Sequence, residues 1–199
     1  MTNPVRPILL CLALALPAFT GCLHRNYYPD PKPARVSFDD LRMAEHPKPV
    51  QLVFDAYNEN GPFLEATRKL APKALEVVTF SRLFSSIVKV GSDNMPRLQL
   101  RLTERGLPEP GDVATEPVPP NITFSLPGTA GGVIYTLTAT YQTIGKEPVK
   151  KVYNHAVHVA AHGPKPEGVK SLRAISAVED VVEQMILSFL IDLQKSDRL

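Results

Sequence analysis

Few side chains in this sequence have the type and spacing that chemistry requires. The densest group is His155, His158 and His162. On a helix, three histidines so spaced would share a face and suggest zinc. The surrounding stretch alternates apolar and polar residues, which predicts a strand. Period two then puts His158 and His162 on one face and His155 on the other. No other cysteine or spaced histidine offers a fourth ligand, so no metal site is expected. Thr129-Ala130-Gly131-Gly132 is glycine-rich but lacks the Lys-Ser/Thr of a phosphate loop. It reads as a turn before a strand. No Gly-x-Ser-x-Gly elbow occurs. Asp39, Asp40, Asp55 and Glu59 flank the first predicted strand without a spacing that pairs them. With no nucleophile–base set to name, no catalytic residue, no cofactor and no enzymatic activity are expected.

Cysteine remains. There are two, Cys11 and Cys22. A short basic start carries Arg6, and an apolar stretch runs from Ile8 to Phe19, interrupted by Pro17. These 12 residues are too few for a membrane-spanning helix, which needs ~20. Thr20 and Gly21, both small, precede Cys22. Leu16-Pro17-Ala18-Phe19-Thr20-Gly21-Cys22 resembles the bacterial lipoprotein signal, with Phe19 where leucine is commonest. That resemblance implies a signal peptide over residues 1–21 and lipid attachment at Cys22, which becomes the first mature residue. The attached groups would be a diacylglyceryl moiety and an amide-linked acyl chain such as palmitate. Two or more acyl chains anchor stably where one does not. Leu23 follows the cysteine instead of Asp. By resemblance to the enterobacterial sorting rule, this implies the outer membrane, with the domain facing the periplasm. The mature chain would then hold no thiol beyond the anchor and no disulfide.

Charge narrows the partners. The chain has 22 Lys+Arg and 20 Asp+Glu. The signal takes only Arg6 with it, so the mature chain is near +1. No nucleic-acid footprint follows from that balance. No run of four or more Lys/Arg marks a polybasic membrane patch. The 20 prolines are about twice the usual share, and many of them sit in two stretches. Residues 22–47 read as the lipidated cysteine and a proline-rich tether, with Tyr27-Tyr28-Pro29-Asp30-Pro31-Lys32-Pro33 favouring extended chain. Phe38, Leu41 and Met43 could pack on the domain near its end. Residues 105–121 read as a long proline-rich loop, a feature usually functional or disordered.

Residues 48–199 read as a single domain. Val50–Phe54 is a β-prone run closed by the turn Asn58–Pro62. Phe63, Ala66, Leu70, Ala74, Val77 and Val78 keep helical spacing, with a kink or break expected at Pro72. A short strand is placed at 86–90, after a helix end near 81–85. Leu98, Leu100 and Leu102 alternate with polar residues as a half-buried strand. Val133–Thr143 and Val149–Ala161 alternate on either side of Gly145 and predict an antiparallel hairpin. Ile175, Val178, Val182, Met185, Ile186, Phe189, Leu190 and Leu193 make a long amphipathic helix. Its polar face is acidic, which fits core packing and not a membrane-surface helix. The predicted class is α+β, an antiparallel or mixed sheet of about four to five strands with helices on one face.

Leu52-Val53-Phe54-Asp55, Leu83-Phe84-Ser85-Ser86-Ile87, Leu98–Leu102, the hairpin and the closing helix together resemble the small α+β lipoproteins of Gram-negative bacteria. These are loosely similar to the N-terminal domain of TolB and to the curli secretion lipoprotein. The resemblance covers residues 48–195 and implies protein–protein work in the envelope: a non-catalytic accessory module with an envelope protein partner. A free sheet edge or the 105–121 loop is the expected contact surface. The alternative is a periplasmic carrier for a lipid or other apolar ligand, which an enclosed apolar cavity would favour.

Overall fold

The computed structural model describes residues 25–92, 94–108, 117–124, 126–160, 166, 168–196 and 199. Its strands are β1 (Asn26–Pro29), β2 (Lys48–Asn58), β3 (Gly61–Pro62), β4 (Phe84–Val88), β5 (Arg97–Leu107), β6 (Gly132–Gln142) and β7 (Val149–Ala160). The helices are α1 (Leu64–Phe80) and α2 (Ala174–Lys195). All seven strands join one mixed sheet of order β1-β7-β6-β5-β2-β3, with β4 also on β2. The α+β class holds; the strand number exceeds the four to five expected. The added strands are short edge pieces, β1 and β3, with no alternation long enough to read.

β2 pairs parallel with both β4 and β5, the crossover running through α1. β5, β6 and β7 follow as an antiparallel meander in which Leu98 faces Tyr141 and Leu137 faces Tyr153. Alternation sends Leu98, Leu100, Leu102, Leu137 and Ala139 to the helix side. There they form one core with Leu70, Ala74 and Val77 of α1 and Val182, Ile186 and Phe189 of α2. Pro72 lies exposed inside an unbroken α1, so the expected break does not occur. β4 begins at Phe84, two residues before the predicted start.

β7 runs parallel to β2, since one parallel and two antiparallel steps relate them. α1 follows β2 and α2 follows β7, so both helices begin at the same end of the sheet. Lys73 of α1 pairs with Glu183 of α2 across their contact. That end, called here the near end, also holds the start of β1, where Asn26 faces Ala160.

The expected tether over 22–47 is corrected by the structure over its described residues, 25–47. Asn26–Pro29 is a strand on the β7 edge, and Tyr27 also bridges to Leu172. The chain then runs the length of α2. Arg35 pairs with Asp180, the Val36 amide donates to Gln184 and the Arg42 amide donates to Gln194. Phe38 packs edge-on against Phe80, and Leu41 is partly buried, while Met43 is exposed. The prolines make this segment extended without making it free. An extended chain can add to an open sheet edge wherever its amides find acceptors.

Candidate functional site: the N-terminal segment and its buried carboxylate

Cys22, the residue singled out for lipid attachment, lies outside the described residues, as do Cys11 and His162. Three residues, Leu23, His24 and Arg25, separate Cys22 from β1. The geometry of the candidate site is therefore that of the segment that follows Cys22.

Directly after β1, Asp30 turns under the face of the sheet that the helices leave open. It is 3 % exposed. Its amide donates to the Ala156 carbonyl, which extends the β1 pairing by one bond. The carboxylate accepts from the Lys32 amide at 2.9 Å, closing an Asx turn. It also accepts from the Thr123 amide at 2.6 Å and the Thr123 hydroxyl at 2.8 Å. His158 Nε2 lies 3.4 Å away. Burial pushes the carboxyl up, but the His158 ring and the Lys32 and Thr123 donors outweigh it. They hold the Asp30 pKa at about 2. Asp30 is thus a buried anion that ties three parts of the chain together: the N-terminal segment, β7 and the loop before β6.

The histidines separate as the strand period requires. His155 faces the helix side opposite Tyr135, and His158 the other side, opposite Tyr28 and Gly132. Burial pushes the His155 ring down, against the raising influence of the Ala156 backbone and the Asp30 and Asp180 charges. His158 Nδ1 and the Tyr28 hydroxyl are buried and find no hydrogen-bond partner among the described residues. Among the described residues, no three His, Cys, Asp or Glu side chains group as metal ligands. The glycine-rich turn has a structural basis. Gly131 takes φ 140°, and a Cβ on Gly132 would stand 2.6 Å from the Val157 carbonyl. Asp40 accepts from the Ser37 amide in a single helical turn, which leaves it a local structural role.

The loop of residues 105–121 is also corrected in part. Its first residues, through Leu107, belong to β5. Val118 and Ile122 pack with Leu107, Ile134 and Ala156 in a small second core on the open side of the sheet. Leu126 closes over Tyr28 and Ala160 beside it. Residues 109–116 lie outside the described residues. Sequence reading missed Asp30, which sits in a proline-rich run without periodicity. The one available signal was an acid in the Pro-Asp-Pro context of a turn.

Two clefts border the N-terminal segment. One, of about 380 Å³, lies between Lys32–Ala34 and the Tyr153–His155 stretch of β7. The other, about 280 Å³, is apolar and opens at the near end between β1, β6, β7 and the first turns of α2. Tyr27, Val133, Tyr135, Val157 and Ile175 line it. No described helix is long and apolar enough to cross a membrane.

No protein-family model and no curated protein matches this chain. Among solved structures it is similar to the rare lipoprotein B from Shewanella oneidensis, at 14 % identity and a TM-score of 0.32. That match covers 73 % of this chain and 92 % of the other. It is also similar to the PelC dodecamer from Paraburkholderia phytofirmans, at 12 % identity and a TM-score of 0.35, covering 84 % of this chain and 96 % of the other.

Proposed function

We propose that this chain is a lipid-anchored accessory protein of the Gram-negative envelope, held in the outer membrane through Cys22 and facing the periplasm. It works by contact with an envelope protein partner and not by catalysis. The observation that carries the reading is the order of residues from Leu16 to Cys22 behind a short apolar stretch. Anchoring through lipid needs no spanning helix. The chain after Cys22 enters the fold within four residues, so the lipid and the domain are held close together.

The helix-free face of the sheet supports a contact role better than the surfaces first expected. β1 covers the β7 edge, and the described part of the 117–126 segment packs inward. Further from the near end on that face, Arg101, Lys150 and Val152 remain exposed beside the half-buried Thr138 and Thr140. This polar, threonine-rich surface presents both hydrogen-bonding groups and charge. The carrier reading has one feature in its favour, the apolar cleft of about 280 Å³. That volume falls just below the ~300–1,000 Å³ range of ligand pockets.

Mass spectrometry of the mature N-terminus, combined with membrane fractionation, tests the anchor. The expected product begins at an acylated Cys22, and Cys22→Ala is expected in soluble periplasm without lipid. Membrane fractionation of Cys22→Ala identical to the parent would sink the reading.

A further inference from the structure

The anchor and the fold together constrain how the domain stands on its membrane. From Cys22 to Asn26 there are four Cα–Cα steps, which reach at most about 14 Å. Asn26 lies at the near end of the sheet, where both helices begin. The strands run about 35 Å to the opposite end. Lipid on Cys22 therefore brings the near end, and not the far end, to the bilayer.

That end carries the groups a lipid interface accepts. Leu64, the first residue of α1, is 71 % exposed, and Ile175, in the first turn of α2, is 44 % exposed. Ile175 also lines the apolar cleft that opens beside Tyr27. Beside Ile175 stand the exposed cations Arg25, Lys170 and Arg173, while Glu65, next to Leu64, pairs with Lys69. Leu172, between the last two, bridges to Tyr27, which brings these cations to the start of β1. Exposed apolar side chains occur elsewhere too, as at Ile144 in the β6–β7 turn and Val152 on the open face. Neither lies at the near end.

We propose that the near end is a membrane-docking surface, with Leu64 and Ile175 seated in the bilayer interface and Arg25, Lys170 and Arg173 against anionic headgroups. This rests on the lipid-anchor reading of Cys22. Docking adds a second contact to the acyl anchor and fixes the orientation of the domain. The open face of the sheet then stands upright from the membrane, accessible to a partner. Each basic residue near an anionic surface strengthens that contact, and the apolar pair adds its own burial.

The sequence contains no tryptophan, so single tryptophans report position without background. The full lipidated chain would carry Leu64→Trp, Ile175→Trp, Ile144→Trp or Val152→Trp. Each is reconstituted in phosphatidylethanolamine–phosphatidylglycerol vesicles with brominated acyl chains. The expected result is quenched, blue-shifted emission at positions 64 and 175 and unchanged emission at 144 and 152. Replacing phosphatidylglycerol by phosphatidylcholine is expected to weaken the quenching. Quenching that ignores headgroup charge overturns the role of the cations. A lipidated, vesicle-bound chain quenched at 144 or 152, or at none of the four, overturns the docking surface while the anchor stands. An intact mass without lipid on Cys22 overturns the anchor, and the docking surface with it.

Discussion

Asp30 is charged and buried because every oxygen lone pair it turns inward meets a donor. Removing the charge leaves those donors facing an amide that cannot accept from all of them. Asp30→Asn is expected to destabilise by about 3 kcal/mol in urea unfolding, the usual cost of breaking a buried charged set. The pH dependence has a definite sign. The folded carboxyl titrates at about 2, below its ordinary 3.8. Its contribution is therefore complete above about pH 4 and is lost as the pH falls through about 2. Asp30→Asn should flatten that part of the acid-unfolding curve. Tyr28 is the opposite case, a buried hydroxyl that finds no partner among the described residues. Tyr28→Phe removes a desolvated polar group and keeps the ring, so thermal unfolding is expected at the same or a higher temperature, by up to ~1 kcal/mol. The histidine spacing was legible in the sequence because strand period alone separates His155 from His158. The Asp30 contacts were not legible. Thr123 and His158 lie 93 and 128 residues away, and no local pattern announces them.

At the scale of elements, the long apolar periods were the readable ones. β5, β6, β7 and α2 appear where alternation and 3-4 spacing placed them, because each has one face to bury and enough residues to show it. Short elements failed that test. β1 owes its existence to the free edge of β7 and not to its own residues. α1 shows the limit of local rules from the other side. Pro72 removes one helical hydrogen bond, yet Leu70, Ala74, Val77 and Val78 around it are buried, and their packing keeps the helix whole. Since Pro72 faces solvent, Pro72→Ala should restore the missing bond without disturbing the core. A gain of about 1–3 kcal/mol is expected in chemical denaturation.

For the whole molecule, the N-terminal segment is a structural strap and not a spacer. It enters the sheet as β1, locks at Asp30 and follows α2 to Gln194 before β2 begins. A deletion of residues 23–33 that keeps Cys22 distinguishes the two roles. A spacer would be lost silently; the strap's loss should leave a protease-sensitive domain, measured by limited proteolysis of membrane fractions. Legible along the chain were the signal-like order of residues ending at Cys22, the lack of any cysteine after it and the α+β class. Those depend on local order, hydrophobic period and composition, all of which are written along the chain. Tertiary structure alone decided that the proline-rich segment is fastened down, that Asp30 is buried as an anion, and that Arg25, Lys170 and Arg173 meet Leu64 and Ile175 at one end. Each depends on partners distant in sequence, brought together only when the sheet edge, the helix starts and the loop before β6 close around the same end of the fold.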